Sequence, residues 1–83
     1  MMKILVSIYI PGISEKQDIW LPKSLRIGDA VSMIAKTIEE LSNHRYSVSG
    51  EECLCSADKN LLLKKESTLE DYGIKNGDLL VMM

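Results

Sequence analysis

The hydrophobic pattern of the sequence changes its period at Arg26, and this change most constrains the fold. Before it, the stretch "KILVSIYI" alternates in side-chain direction and is rich in β-branched residues, which predicts a strand. After it, apolar residues recur four, three, four and three positions apart: Ile27, Val31, Ile34, Ile38 and Leu41. At about 100° per residue these side chains form one stripe. The sequence therefore predicts a single amphipathic helix that buries this stripe.

Turn residues divide the rest of the chain into short strands. "PGISEK" predicts a turn and "QDIWLP" a second strand that ends at Pro22, so the first two strands form a hairpin. After the helix, "RYSVSGEE" predicts a loop or a short strand, and "CLCSADKNLLL" predicts a strand, a polar turn and a strand. "STLEDYGI" predicts one helical turn before the last strand, "LLVMM". The predicted order of elements is ββαββ(turn)β.

This order has few compact solutions. The helix must cover one face of a mixed sheet, and a right-handed crossover places the last strand parallel to the first at the centre of the sheet. The predicted fold is therefore α+β, a β-grasp with a mixed sheet of four to five strands packed on one long helix. The predicted core draws on the first strand, the helix and the C-terminal segment: Ile4, Val6, Val31, Ile34, Ile38, Leu69 and Leu80.

Length and charge restrict the classes of function. Eighty-three residues with a net charge of −2 predict a single domain, residues 1–83, without the basic surface that binds nucleic acid or acidic lipid. The N-terminal apolar stretch is short, is cut off at Pro11 and has no cleavage site after it, so it does not resemble a signal peptide. No apolar run is long enough for direct membrane insertion. We expect a cytoplasmic protein that binds no nucleic acid.

Residues that carry catalysis or bind metals are few. Cys53 and Cys55 are two positions apart, whereas zinc requires four ligands and redox pairs favour a Cys-x-x-Cys spacing at a helix start. His44 is the single histidine and follows the helix among polar residues, which favours an exposed loop position. The glycines show no phosphate-binding spacing. We therefore expect no catalytic residues, no metal, no cofactor and no enzymatic activity.

The alternation of the strands predicts an unusual second face of the sheet. If the core residues face the helix, another set of apolar side chains faces away from it: Leu5, Tyr9, Trp20, Leu79, Val81 and Met83. A sheet face open to water is normally polar, and a contiguous apolar patch often marks a contact surface with tryptophan as an anchor. These residues are the predicted binding site for another protein or for a second copy of the chain. The alternatives are that the loop from Tyr46 to Glu52 covers part of this face, or that one strand is shifted by a residue.

The end of the chain resembles ubiquitin-like domains. Their signature, Thr-Leu-x-Asp-Tyr-x-Ile before a final strand, corresponds to five positions of this sequence: Thr68, Leu69, Asp71, Tyr72 and Ile74. "KILV" at the start and "IWLPKSLRIGDAV" leading into the helix follow the same order of elements. The resemblance covers nearly the whole chain and implies the β-grasp fold.

A narrower resemblance is to the YukD/EsaB family, small bacterial ubiquitin-like proteins encoded with type VII secretion machinery. The matching residues lie in the second strand and at the end of the chain: Asp18, Leu21, Tyr72, Gly73, Ile74, Asn76, Gly77, Asp78 and Leu80. This resemblance implies a non-enzymatic accessory or regulatory role in the secretion of small helical-hairpin proteins. It also implies a component of the secretion machinery as the partner.

The C-terminal residues bear on two other classes of function. Ubiquitin-like modifiers and sulfur carriers activate a C-terminal Gly-Gly, whereas this sequence ends in Val81, Met82 and Met83. We therefore expect no C-terminal adenylate or thioester after incubation with ATP and an activating enzyme. One alternative function is a modifier or sulfur carrier with a longer native C-terminus. Another is a regulatory adaptor of the same fold, for instance in a toxin-antitoxin pair.

Overall fold

The computed structural model describes residues 2–83, which form five strands, one α-helix and two 3₁₀ turns. The strands are β1 (Lys3–Ile10), β2 (Glu15–Pro22), β3 (Leu54–Ser56), β4 (Leu61–Leu62) and β5 (Leu79–Met82), and the helix is α1 (Ile27–Leu41). The 3₁₀ turns cover Pro11–Ile13 and Glu70–Tyr72. The predicted order of elements is confirmed.

One mixed sheet contains all five strands in the order β2-β1-β5-β3-β4. β1 is antiparallel to β2 and parallel to β5, while β3 is antiparallel to both β5 and β4. A parallel pair requires a crossover connection, and α1 lies in the connection between β1 and β5. The first and last strands are therefore neighbours at the centre of the sheet, as predicted.

The core lies between α1 and the face of the sheet that α1 covers. Alternate residues of β1 are buried, and the helix buries its stripe from Ile27 to Ile38. All seven predicted core residues are buried, and none of them is more than 8% exposed. Leu69 and Ile74, from the segment before β5, belong to the same cluster of buried side chains. The helical period therefore identified the face of α1 that packs on the sheet.

Leu41 does not belong to the buried stripe, although its spacing predicted that it would. It is 60% exposed, whereas the next residue, Ser42, is only 6% exposed. The helix ends at Leu41, and the Tyr46 amide donates a hydrogen bond to the Ser42 hydroxyl at 3.1 Å. The loop therefore folds over the side of the helix end that carries Ser42. The helical period does not predict this, because the path of the loop decides which side of the last turn is covered.

The signature residues near the C-terminus form a capped turn. The Thr68 amide donates a hydrogen bond to the Asp71 carboxylate at 2.9 Å, and the Asp71 amide donates one to the Thr68 hydroxyl at 3.0 Å. This reciprocal pair is a capping box, which satisfies free amides at the start of a helical turn. The Tyr72 hydroxyl accepts a hydrogen bond from the Lys64 amide at 2.9 Å. The signature therefore fixes the segment that leads into β5.

The turn at Asn76 and Gly77 joins β5 to β1. The Leu5 amide donates to the side-chain oxygen of Asn76 at 2.8 Å, and the Leu5 carbonyl accepts from the Gly77 amide, also at 2.8 Å. Gly77 has a φ of +87°, a conformation that glycine adopts without steric cost. Beyond the turn, the Ser7 amide donates to the Asp78 carbonyl at 3.0 Å. This turn therefore sets the register between the first and last strands.

Replacing Ile34 with alanine is expected to lower the free energy of unfolding by about 2–5 kcal/mol, because the side chain is fully buried and its loss leaves a cavity. Urea denaturation measures this change. Met33→Ala is the control, since Met33 is the preceding helical residue and is 41% exposed. The control should change the free energy by about 0.5 kcal/mol or less. Equal stability of Ile34→Ala and the parent protein would show that the buried face of α1 is wrongly assigned.

Candidate functional site

The face of the sheet opposite α1 carries an apolar row that crosses four strands. Tyr9 of β1 lies beside Val81 of β5. Val81 lies opposite Cys55 of β3, which in turn lies opposite Leu62 of β4. Neighbouring strands are about 4.8 Å apart, so the row is about 14 Å long. The register of the sheet thus brings together residues from both ends of the chain.

Further apolar residues extend this row along the strands. Leu5 of β1 lies opposite Trp20 of β2, and Leu79 lies beside Ser7. Met83 follows the buried Met82 and exchanges backbone hydrogen bonds with Cys53. We use the name outer strip for the apolar residues on this face: Leu5, Tyr9, Trp20, Cys55, Leu62, Leu79, Val81 and Met83.

The predicted binding residues all belong to the outer strip, and they are accessible to different degrees. Trp20 is 59% exposed, Met83 66% and Tyr9 37%. The other three residues of the predicted set are half-buried: Leu5, Leu79 and Val81. The prediction that these side chains face away from the helix is confirmed, while their role in binding stays a prediction.

A polar pair divides the outer strip into two parts. The Ser7 hydroxyl donates a hydrogen bond to the Asp18 carboxylate at 2.7 Å. These two residues lie opposite each other in the register, between the position of Trp20 and that of Tyr9. Leu79, beside Ser7, is the apolar residue that links the two parts. The sequence predicted one continuous strip. In the structure the strip is interrupted on β1 and β2 by this polar pair and is continuous only through Leu79 of β5.

Sequence reasoning missed two members of the outer strip, Cys55 and Leu62. In the structure Cys55 lies between two buried residues of β3, but the sequence gives little signal for this, because one of these neighbours is the polar Ser56. Leu62 is 57% exposed in a strand of only two residues, which is too short to show an alternation. Its pairing with Cys55 decides which face of the sheet the side chain occupies, and this pairing cannot be read from the sequence.

The loop from Tyr46 to Glu52 is attached to the helix side of the domain. Tyr46 packs against the core, and its amide donates to the Ser42 hydroxyl. The Val48 amide donates a hydrogen bond to the Glu39 carboxylate of α1 at 3.2 Å. These contacts hold the loop against the helix, whereas the outer strip lies on the opposite face of the sheet.

The buried carboxylate of Glu52 holds this loop together. It is 3% exposed and accepts hydrogen bonds from the Tyr46 hydroxyl at 2.6 Å, the Ser49 amide at 2.7 Å and the Gly50 amide at 3.1 Å. Burial alone would raise the pKa of Glu52, but these hydrogen bonds favour the charged form and lower its pKa from 4.5 to about 2. Burial and the neighbouring carboxylate raise the pKa of Tyr46, which keeps the phenol protonated as a donor.

Other sites of chemistry are sparse in residues 2–83. This part of the chain contains no pocket and no group of three or more His, Cys, Asp and Glu side chains arranged for a metal ion. His44 is exposed in the loop after α1, as predicted. Cys53 and Cys55 are half-buried free thiols. Among the described helices, none is long and apolar enough to cross a membrane.

Solved structures share this arrangement of strands and helix. Ubiquitin from Caldiarchaeum subterraneum superposes with a TM-score of 0.76 and 17% identity, over 98% of this chain and 91% of its own. The chain has the ubiquitin-like fold. The ubiquitin-like domain of the Mycobacterium tuberculosis type VII secretion system protein EccD1 gives a TM-score of 0.68 at 21% identity, over 100% of this chain and 99% of its own. For the EccD5 ubiquitin-like domain from Mycobacterium xenopi the TM-score is 0.73 at 17% identity, over 100% and 94%.

No protein-family model and no curated protein matches the sequence. At 21% identity or less, these similarities establish the fold of the ubiquitin-like domain and leave its function to be argued from the site. The resemblance to ubiquitin-like domains that the sequence predicted is confirmed. Type VII secretion proteins are among the structures that share the fold.

Glu52→Gln is expected to lower the free energy of unfolding at neutral pH by about 1–3 kcal/mol, because a buried charged acceptor of three hydrogen bonds becomes a neutral amide. Urea denaturation measures the change. Glu51→Gln is the matched control, since Glu51 precedes Glu52 and its side chain is exposed. If both variants are as stable as the parent, the Glu52 carboxylate does not hold the loop.

The pH dependence of the same variant provides a second readout. Folding lowers the pKa of Glu52, so its contribution to stability is present above the ordinary value of 4.5 and is lost as the pH falls towards about 2. We expect the difference in unfolding free energy between the parent and Glu52→Gln to shrink over that interval. A difference that does not vary with pH would contradict the assignment.

Proposed function

We propose that this ubiquitin-like domain is a non-enzymatic protein-interaction module that binds its partner through the outer strip. The observation that supports this is the apolar row from Tyr9 to Leu62, which runs across four strands on the face that α1 leaves uncovered. An open antiparallel sheet face is normally polar. Apolar residues gathered on such a face cost solubility, and a partner that covers them offsets this cost.

Trp20 is the best candidate for an anchor residue in this surface. Its side chain is 59% exposed, so it contributes little to the core. Tryptophan side chains often contribute several kcal/mol when a partner buries them. The half-buried Leu5 lies opposite Trp20 in β1 and offers an apolar surface beside it. Polar groups at Asp18 and Lys16 lie on the same strand and orient a partner at the edge of the sheet.

The proposed cellular role is that of an accessory or regulatory component of a bacterial type VII secretion system, acting in the cytoplasm. Two observations support it. The motif at the end of the chain resembles the YukD/EsaB family, and ubiquitin-like domains of the type VII secretion proteins EccD1 and EccD5 share the fold. The proposed partner is a component of the secretion machinery, for which a type VII secretion ATPase is the first to test.

Trp20→Ala is expected to leave the melting temperature nearly unchanged and to weaken partner binding at least about tenfold, or about 1.4 kcal/mol. The physical reason is that the exposed indole adds little to folding and much to a buried interface. Thermal denaturation and a pull-down with the purified secretion ATPase are measured on the same variant. Met33→Ala, an exposed apolar residue on the helix, is the control. Unfolding of Trp20→Ala would place Trp20 in the core and remove the proposed surface.

Leu62→Arg and Leu61→Arg test which face of the sheet binds. The two residues are neighbours in β4 and are 57% and 43% exposed, but their side chains point to opposite faces. Leu62→Arg is expected to weaken binding at least about tenfold, because it places a charge in the outer strip. Leu61→Arg should bind like the parent. Equal effects of the two substitutions would contradict the outer strip as the binding surface.

A further inference from the structure

Three sulfur-containing residues occupy neighbouring positions on one face of the sheet, at one end of β3 and β5. The Cys53 amide donates a hydrogen bond to the Met83 carbonyl at 2.8 Å, and the Met83 amide donates one back to the Cys53 carbonyl at 3.0 Å. These two residues are therefore directly opposite each other. Cys55 is the next residue of β3 on the same face, because the residue between them, Leu54, is buried against the core. All three side chains belong to the face opposite α1.

The spacing of these positions suits a single coordination site. Side chains directly opposite each other in an antiparallel pair have Cβ atoms about 5 Å apart. The Cα atoms of two residues two positions apart in one strand, which share a face, are about 6.8 Å apart. The side chains of Cys53, Cys55 and Met83 therefore leave the sheet from neighbouring positions on one face, with the latter two each about 5–7 Å from Cys53. Both cysteines are free thiols that are partly accessible, and Met83 is 66% exposed.

The chemistry of these donors selects the metal. Zinc in structural sites takes four ligands, and the two thiols supply only two of the four. Thiolate and thioether sulfur atoms are soft ligands, which favour copper(I) over harder divalent ions. Copper(I) also binds with two or three ligands, so two cysteines and one methionine complete its coordination. No nitrogen or oxygen ligand is required.

We propose that Cys53, Cys55 and Met83 form a copper(I) site on the outer face of the sheet. On binding, both thiols lose their protons to solvent, and two Cu–S bonds replace the two S–H bonds. The Met83 thioether adds a third, neutral donor. Copper remains in the +1 state, so the step needs no oxidant or reductant. The bound ion carries one positive charge against two thiolates, which leaves the site with a single negative charge.

Anaerobic titration with copper(I), in competition with a chromogenic copper(I) chelator, tests the proposal. We expect one copper(I) per chain. Cys53→Ser, Cys55→Ser and Met83→Leu should each weaken binding at least about tenfold. The matched control is the double variant Cys53→Ser, Lys36→Cys. It keeps two thiols, but it moves one of them to an exposed position of α1, on the other side of the domain. It should bind no more tightly than Cys53→Ser.

Three further measurements keep the test independent of whether the serine variants fold. Circular dichroism verifies that each variant is folded. In the parent protein, intact-mass analysis after alkylation should show that copper(I) protects both thiols. Sedimentation should show a monomer with bound metal. Equal affinity of the parent and the Lys36→Cys control would overturn the site, as would one copper(I) shared by two chains, alkylation of either thiol in the presence of copper(I), or an unchanged affinity of Met83→Leu.

Discussion

The parallel pairing of β1 with β5 is the contact on which the rest of this structure depends. It pairs residues 72 positions apart, such as Ser7 with Leu79, and the turn before β5 extends the contact through the hydrogen bond from the Leu5 amide to the Asn76 side chain at 2.8 Å. Bringing such distant segments together costs loop-closure entropy, which must be offset by burial on the helix side. The same pairing places Tyr9 beside Val81, so it also creates the centre of the outer strip. The fold and the candidate site therefore both depend on the pairing of β1 with β5.

The two faces of the sheet show how one alternation produces both the buried core and the outer strip. On the inner face, residues such as Val6 and Leu80 are fully buried under α1 and contribute most to stability. On the outer face, their neighbours, Leu5 and Leu79, remain half-buried. The Ser7–Asp18 hydrogen bond interrupts this apolar face and limits the cost of exposing it to water. Such a surface suits a partner that covers both halves of the strip.

The motif that gave the resemblance turns out to act in folding. Thr68 and Asp71 cap a turn, and Asn76 and Gly77 fix the end of β5 against β1. Each of these roles follows from turn chemistry and belongs to the fold as a whole. The motif therefore identifies the ubiquitin-like fold, while the proposal of a binding function rests on the exposed side chains of the outer face.

The sequence by itself determined the elements whose pattern repeats over many residues. The stripe of α1 and the alternation of β1 predicted five of the seven core residues and two of the six outer residues of the predicted binding site, because a regular period relates each side chain to its face. The others come from the alternation of β2 and from the C-terminal segment. Where an element ends or is too short to show a period, only the tertiary structure decided which side chains are buried and which face they occupy. The loop that folds over Ser42 left Leu41 exposed, and strand pairing alone placed Leu62 in the outer strip. The pairing of Cys53 with Met83 is also a tertiary contact between distant segments, so no spacing along the chain could reveal it.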